Sequence, residues 1–192
     1  MLINWKKEIF SIPNLLSLFR LLMIPIYIVI YLNAAEPYEF FLAGVIIAVS
    51  CLSDMIDGKI ARRYNMITTL GKILDPLADK VTQFTLTLCL SLKYSVLNPV
   101  LALFLVKEIF QICIGVANLF KHKMLPGALM AGKVCTAVLF ISLITLVLFP
   151  DMNPLLVNCI ALTDTFFLLF SFISYIFAYF GKNTKVQDLE AN

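Results

Sequence analysis

The amino-acid sequence predicts an all-α integral membrane protein, with six transmembrane helices behind a short N-terminal interfacial helix. Three observations carry that expectation. Apolar residues fill 61% of the 192 positions and charged residues only 14%, with a mean hydropathy of +0.93, whereas soluble domains hold roughly 45–50% and 25%. The apolar residues run in long continuous stretches, not in the alternation of a β-barrel. Six such stretches approach the ~20 residues that cross a bilayer as a helix, where every backbone amide must be paired internally.

The elements follow in order. MLINWKKEIF leads into an apolar run that passes Ile30 without a small-residue cleavage site, unlike a secretory signal. It reads as the interfacial helix, with Trp5 and Phe10 in the headgroup layer and Lys6 and Lys7 facing water. Spans are expected near 13–33, 38–60, 71–93, 97–120, 132–149 and 154–180, joined by short connections without repeats or low-complexity linkers. The polar tail GKNTKVQDLEAN, from about 181, is expected to fray, so residues 1–192 read as a single membrane domain. The five cysteines are scattered through apolar stretches without a CxxC pair, which argues against disulfides and zinc and for small buried hydrophobes.

Charge sets the orientation. With the N-terminus in the cytoplasm, the inner segments hold Lys6, Lys7, Lys59, Arg62, Arg63, Lys72, Lys121, Lys123, Lys133, Lys182 and Lys185. The opposite loops hold only Lys93, beside Glu36, Glu39 and Asp151. The positive-inside rule therefore places both termini in the cytoplasm and the chain in the cytoplasmic membrane. Its surroundings are membrane lipids, with no nucleic-acid partner expected.

A charge at the centre of a span costs about 2.5–3.5 kcal/mol on translocon scales, yet several cluster here. In SDMIDGKIARRYNMITTLGKILDPLADK, Asp54 and Asp57 stand at i, i+3 and Asp75 and Asp79 at i, i+4, so each pair shares one face of its helix. A short link makes the two helices antiparallel neighbours whose pairs can face one another at the cytoplasmic edge. Four converging carboxylates need protons or cations. Hard divalent ions, Mg2+ or Mn2+, suit an all-oxygen set without His or Cys, and two of them would make the clamp used in phosphoryl displacement. The alternative is structural ion pairing with Lys59, Arg62, Lys72 and Lys80. Gly58 and Gly71 beside the acids would let a bulky ligand approach the backbone, and Arg62 offers a fork suited to phosphate.

The array Asp54-x2-Asp57-Gly58-x2-Ala61-Arg62-x8-Gly71-x3-Asp75-x3-Asp79 resembles the defining motif of the CDP-alcohol phosphatidyltransferases, with all eight specified residues present over twenty-six positions. IPNLLSLFR and LGKILDPLADK resemble the phosphatidylglycerophosphate and cardiolipin synthase branches. The resemblance implies six transmembrane helices, a homodimer, two divalent metals, and displacement of CMP from CDP-diacylglycerol by an alcohol. It makes Asp54, Asp57 and Asp75 metal ligands, and Asp79 both a ligand and the general base. It lines the cytidine diphosphate pocket with Gly58, Ala61, Arg62 and Gly71.

Outside the motif the likeness is partial. Phosphatidylglycerophosphate synthases open the fourth span with an AREI-like segment and carry a second arginine beyond it. VKEIFQICIGVANLF instead has Lys107, keeps Glu108, and brings Gly115 near the second arginine's place. AGKVCTAV resembles a GKxKTA segment, keeping Lys133 and Thr136 with Cys135 in place of a lysine. Lys107, Lys133, Arg20 and Thr136 are the candidate acceptor-binding residues, with glycerol 3-phosphate as the first acceptor. Phosphatidylglycerol, as in cardiolipin synthases, is the alternative, and inositol phosphate a third. His122 reads as an incidental loop residue, and Asp164 as a lone acid hydrogen-bonding a neighbouring helix. A transporter or a non-catalytic scaffold is the rival class. The acids concentrated in one half speak against the transporter, and the complete motif against the scaffold.

Overall fold

The computed structural model describes residues 11–63, 71–120 and 130–180. The expected interfacial helix with Trp5 and Phe10, the link after Arg63, the loop with Lys121, His122 and Lys123, and the tail from 181 lie outside the described residues. Those residues form six α-helices: α1 (Ile12–Asn33), α2 (Pro37–Arg63), α3 (Gly71–Lys93), α4 (Asn98–Phe120), α5 (Met130–Leu148) and α6 (Pro154–Phe180). A single 3-10 turn, Ser95–Leu97, precedes α4, and there is no strand among the described residues.

The helix starts follow local chemistry. Pro13, Pro37, Pro99 and Pro154 each occupy the first two positions of a helix, where a missing N–H deprives no intrahelical bond. Asn153 caps α6, its Oδ1 accepting the Leu155 N–H at 2.9 Å. Glu39, in the first turn of α2, accepts the backbone N–H groups of Ala35 at 2.6 Å and Glu36 at 3.1 Å, a capping arrangement that also sets a negative charge at the positive end of the helix.

Among the described residues, four helices are long and apolar enough to cross a membrane, within Asn14–Asn33, Ser95–Val116, Met130–Leu148 and Pro154–Tyr179, and a shorter apolar helix covers Pro37–Ser53. The charges of α3 (Lys72, Asp75, Asp79, Lys80) interrupt its apolar run. Burial is arranged as lipid requires. Leu92, Leu162 and Phe177 are about 70% exposed, whereas Asn14, Ser17, Arg20, Thr82, Gln83, Lys107, Asp164 and Ser171 are buried.

The chain forms two compact units. The first comprises Met1–Leu92 with Leu143–Met152. In it α1 packs along α2, joined by Tyr27 on Tyr31 (ring centroids 5.5 Å apart) and Tyr31 edge-on to Phe40 (5.3 Å). Gly44 lets the end of α5 approach α2 closely, because a Cβ there would stand 2.6 Å from Leu148 Cδ2.

The second unit comprises Lys93–Ser142 and Asn153–Asn192. Phe110 of α4 meets Phe172 and Tyr179 of α6 edge-to-face, at 5.1 and 6.4 Å. Ser142 of α5 bonds the buried Asp164 of α6, with its Oγ 2.7 and 2.8 Å from the two carboxylate oxygens, as expected for that lone acid. Gly132 packs against Tyr175, whose hydroxyl lies 2.5 Å from where a Cβ would be.

Candidate active site

The site grows from α1 and α3 of the first unit. Helical spacing puts Asp75 and Asp79 on one face of α3, and Asn14, Ser17 and Arg20, three residues apart, along one face of α1. All three α1 residues are buried. Ser17 Oγ donates a hydrogen bond to Asp75 Oδ1. Arg20 Nη1 donates to Asp79 Oδ1 at 2.5 Å, a charge-assisted contact. Both contacts advance in the same direction along the two helices, so α1 and α3 run parallel here. The Arg20 side chain is 2% exposed and that of Asp79 36%. The guanidinium therefore holds the carboxylate from beneath while Asp79 stays accessible.

Helix α2 continues through Asp54, Asp57, Gly58, Ala61 and Arg62 to Arg63. This keeps their helical register, while their side chains lie outside the described residues. Gly71, the first residue of α3, is buried. Among the described residues no cluster of three or more metal-ligating side chains forms; the side chains of Asp54 and Asp57 are not among those described. The donor chemistry of Asp75 and Asp79 does fit a hard divalent cation. A carboxylate offers about four lone-pair directions, so one hydrogen bond to α1 leaves acceptor capacity.

The acceptor candidates divide between the units. Arg20 belongs to the first, bound to Asp79. In the second, Lys107 is buried and pairs with Glu108, Nζ to Oε1 2.7 Å. Lys133 is exposed on α5, and Thr136 Oγ1 donates back to the Gly132 carbonyl at 2.9 Å. A Cβ at Gly115 would meet nothing within 4 Å, so the place of the absent arginine is open. Ser17 lies outside the aspartate motif, and its signal in the sequence is the polar stripe Asn14-x2-Ser17-x2-Arg20 in an otherwise apolar stretch. Gln83, one turn beyond Asp79, is buried, and its Nε2 has no hydrogen-bond partner among the described residues.

Comparison with known proteins fits this arrangement. A sequence model of the CDP-alcohol phosphatidyltransferase family matches residues 10–180. The chain is 35% identical over 170 residues to the CDP-diacylglycerol–glycerol-3-phosphate 3-phosphatidyltransferase of Aquifex aeolicus, covering 86% of this chain and 93% of that one. It is 42% identical over 72 residues to the protein of the same name from Escherichia coli, 38% of this chain and 39% of the relative. A Schizosaccharomyces pombe cardiolipin synthase (CMP-forming) / mitochondrial hydrolase fusion protein is 32% identical over 126 residues, 64% of this chain and 20% of that protein.

Proposed function

The chain belongs to the CDP-alcohol phosphatidyltransferase family, and from that premise we propose that it makes phosphatidylglycerophosphate from CDP-diacylglycerol and glycerol 3-phosphate. The observation that carries the acceptor is the match to the Aquifex aeolicus enzyme over 93% of its length. The acceptor hydroxyl oxygen bonds to the phosphorus that bears diacylglycerol, the bond from that phosphorus to the bridging oxygen breaks, and CMP leaves with the electron pair. Asp79 takes the hydroxyl proton as general base, a role suited to a carboxylate that is anchored on one side and accessible on the other. Asp54, Asp57, Asp75 and Asp79 would hold two divalent cations, Mg2+ or Mn2+, which spread the diphosphate charge and stabilise the departing CMP. Gly58, Ala61, Arg62 and Gly71 line the donor nucleotide pocket, and Lys107 and Lys133 serve the acceptor phosphate.

The same reading takes all of residues 1–192 as one catalytic membrane domain that acts as a homodimer. It has six spans, with α2 and α3 crossing as well as the four more apolar helices. Lys and Arg placement supports cytoplasmic termini and a site at the cytoplasmic edge of the inner membrane. One observation favours phosphatidylglycerol as a second acceptor reading. Lys107 is held by Glu108 without a forked arginine, and a cardiolipin synthase fusion is among the relatives.

The test is CMP release by purified protein with CDP-diacylglycerol and Mg2+ or Mn2+. Glycerol 3-phosphate, phosphatidylglycerol, inositol phosphate and serine are offered separately and the lipid product identified. Release with glycerol 3-phosphate is expected, and no release with any acceptor overturns the reading. Asp79→Asn should retain donor and metal binding while turnover falls about 10^2–10^4-fold; unchanged turnover excludes Asp79 as the base.

A further inference from the structure

We propose that Ser17 and Arg20 of α1 are positioning residues for the reaction, fixing the carboxylates of Asp75 and Asp79 in the orientation in which α3 presents them. The inference rests on the metal-dependent reading above and adds a helix that lies outside the aspartate motif. Ser17 is fully buried and spends its hydroxyl proton on Asp75 Oδ1. Arg20, almost fully buried, directs Nη1 at Asp79 Oδ1. A three-residue step on α1 matches a four-residue step on parallel α3, so the two contacts form consecutive rungs.

A buried arginine in an apolar span is costly unless paired, and a carboxylate that is to hold a cation needs its rotamer fixed by groups behind it. Both requirements are met by the same two bonds. Arg20 is thereby reassigned. A guanidinium 2% exposed beneath Asp79 acts through that carboxylate instead of gripping the acceptor phosphate.

The experiment uses the full purified chain in nanodiscs and reads Mn2+ binding by paramagnetic resonance alongside steady-state kinetics. Ser17→Ala, which removes the hydroxyl without adding volume, should weaken Mn2+ binding about tenfold. Ser17→Thr, which restores a donor, should recover most of that loss. Arg20→Lys keeps the charge but loses the fork, and should lower kcat about tenfold while the KM for glycerol 3-phosphate stays within about twofold. Mn2+ affinity in Ser17→Ala equal to wild type, with wild type itself binding and turning over, overturns the inference alone. A raised acceptor KM at unchanged kcat in Arg20→Lys overturns it too, by returning Arg20 to the acceptor. Wild type that binds no Mn2+ removes the metal-dependent reading and the inference together.

Discussion

Glu108→Gln asks the sharpest question of the second unit. Lys107 is 3% exposed and Glu108 13%, with Nζ and Oε1 2.7 Å apart. At an effective dielectric near 20 the gross attraction at that distance is about 6 kcal/mol, most of it offset by the desolvation of two ions. Replacing the carboxylate with an amide leaves the ammonium buried beside a neutral partner, and breaking one side of such a pair costs about 3–5 kcal/mol. Because Glu108 retains some exposure, the lower figure applies, about 3 kcal/mol. For a chain of this length that lowers the midpoint of unfolding by roughly 6–12 °C. Lys107→Leu with Glu108→Leu removes both charges and should return to within about 1 kcal/mol of wild type. A thiol-reactive fluorophore melt suits the measurement once the exposed Cys113 and Cys159 of the same unit are replaced by serine, because Cys135 is buried and becomes reactive on unfolding. A Glu108→Gln midpoint within about 1 °C of wild type would refute the reasoning and make the pair energetically silent.

Two further outcomes can be checked by the same melt. Ser142→Ala should destabilise the second unit by about 0.6–2 kcal/mol, the range for interhelical hydrogen bonds in membranes, and Asp164→Asn should lose less because the amide can still bond Ser142. Gly132→Ala should cost about 1–3 kcal/mol through overlap with Tyr175, whereas Gly115→Ala, with open space around its Cβ, should gain about 0.5–1 kcal/mol from helix propensity. Equal effects at the two glycines would remove the packing explanation.

Helix positions were legible because a bilayer imposes length on apolar stretches: each helix lies within about three residues of the stretch that hydropathy marks. α2 is helical through Ala61, Arg62 and Arg63, residues that favour helix. A lone acid in an apolar stretch marks Asp164 as hydrogen-bonded, but its partner Ser142, twenty-two residues away, follows from no local pattern. The bond of Arg20 to Asp79 depends on which helices pair, information that no local periodicity carries. Lys107 and Glu108 are adjacent in sequence and so leave a helix in different directions.

The rungs between α1 and α3 also set an order of events during biosynthesis. Arg20 and Asp79 are 59 residues apart, and translation at roughly 5–20 residues per second separates their emergence by about 3–12 s. Through that interval the first helix carries a cation whose eventual counter-charge is still inside the ribosome. An arginine without a partner in lipid is costly unless its long side chain reaches the headgroups. The arrival of Asp79 supplies the counter-charge that Arg20 has in the finished fold. A chain truncated before α3 lacks that partner.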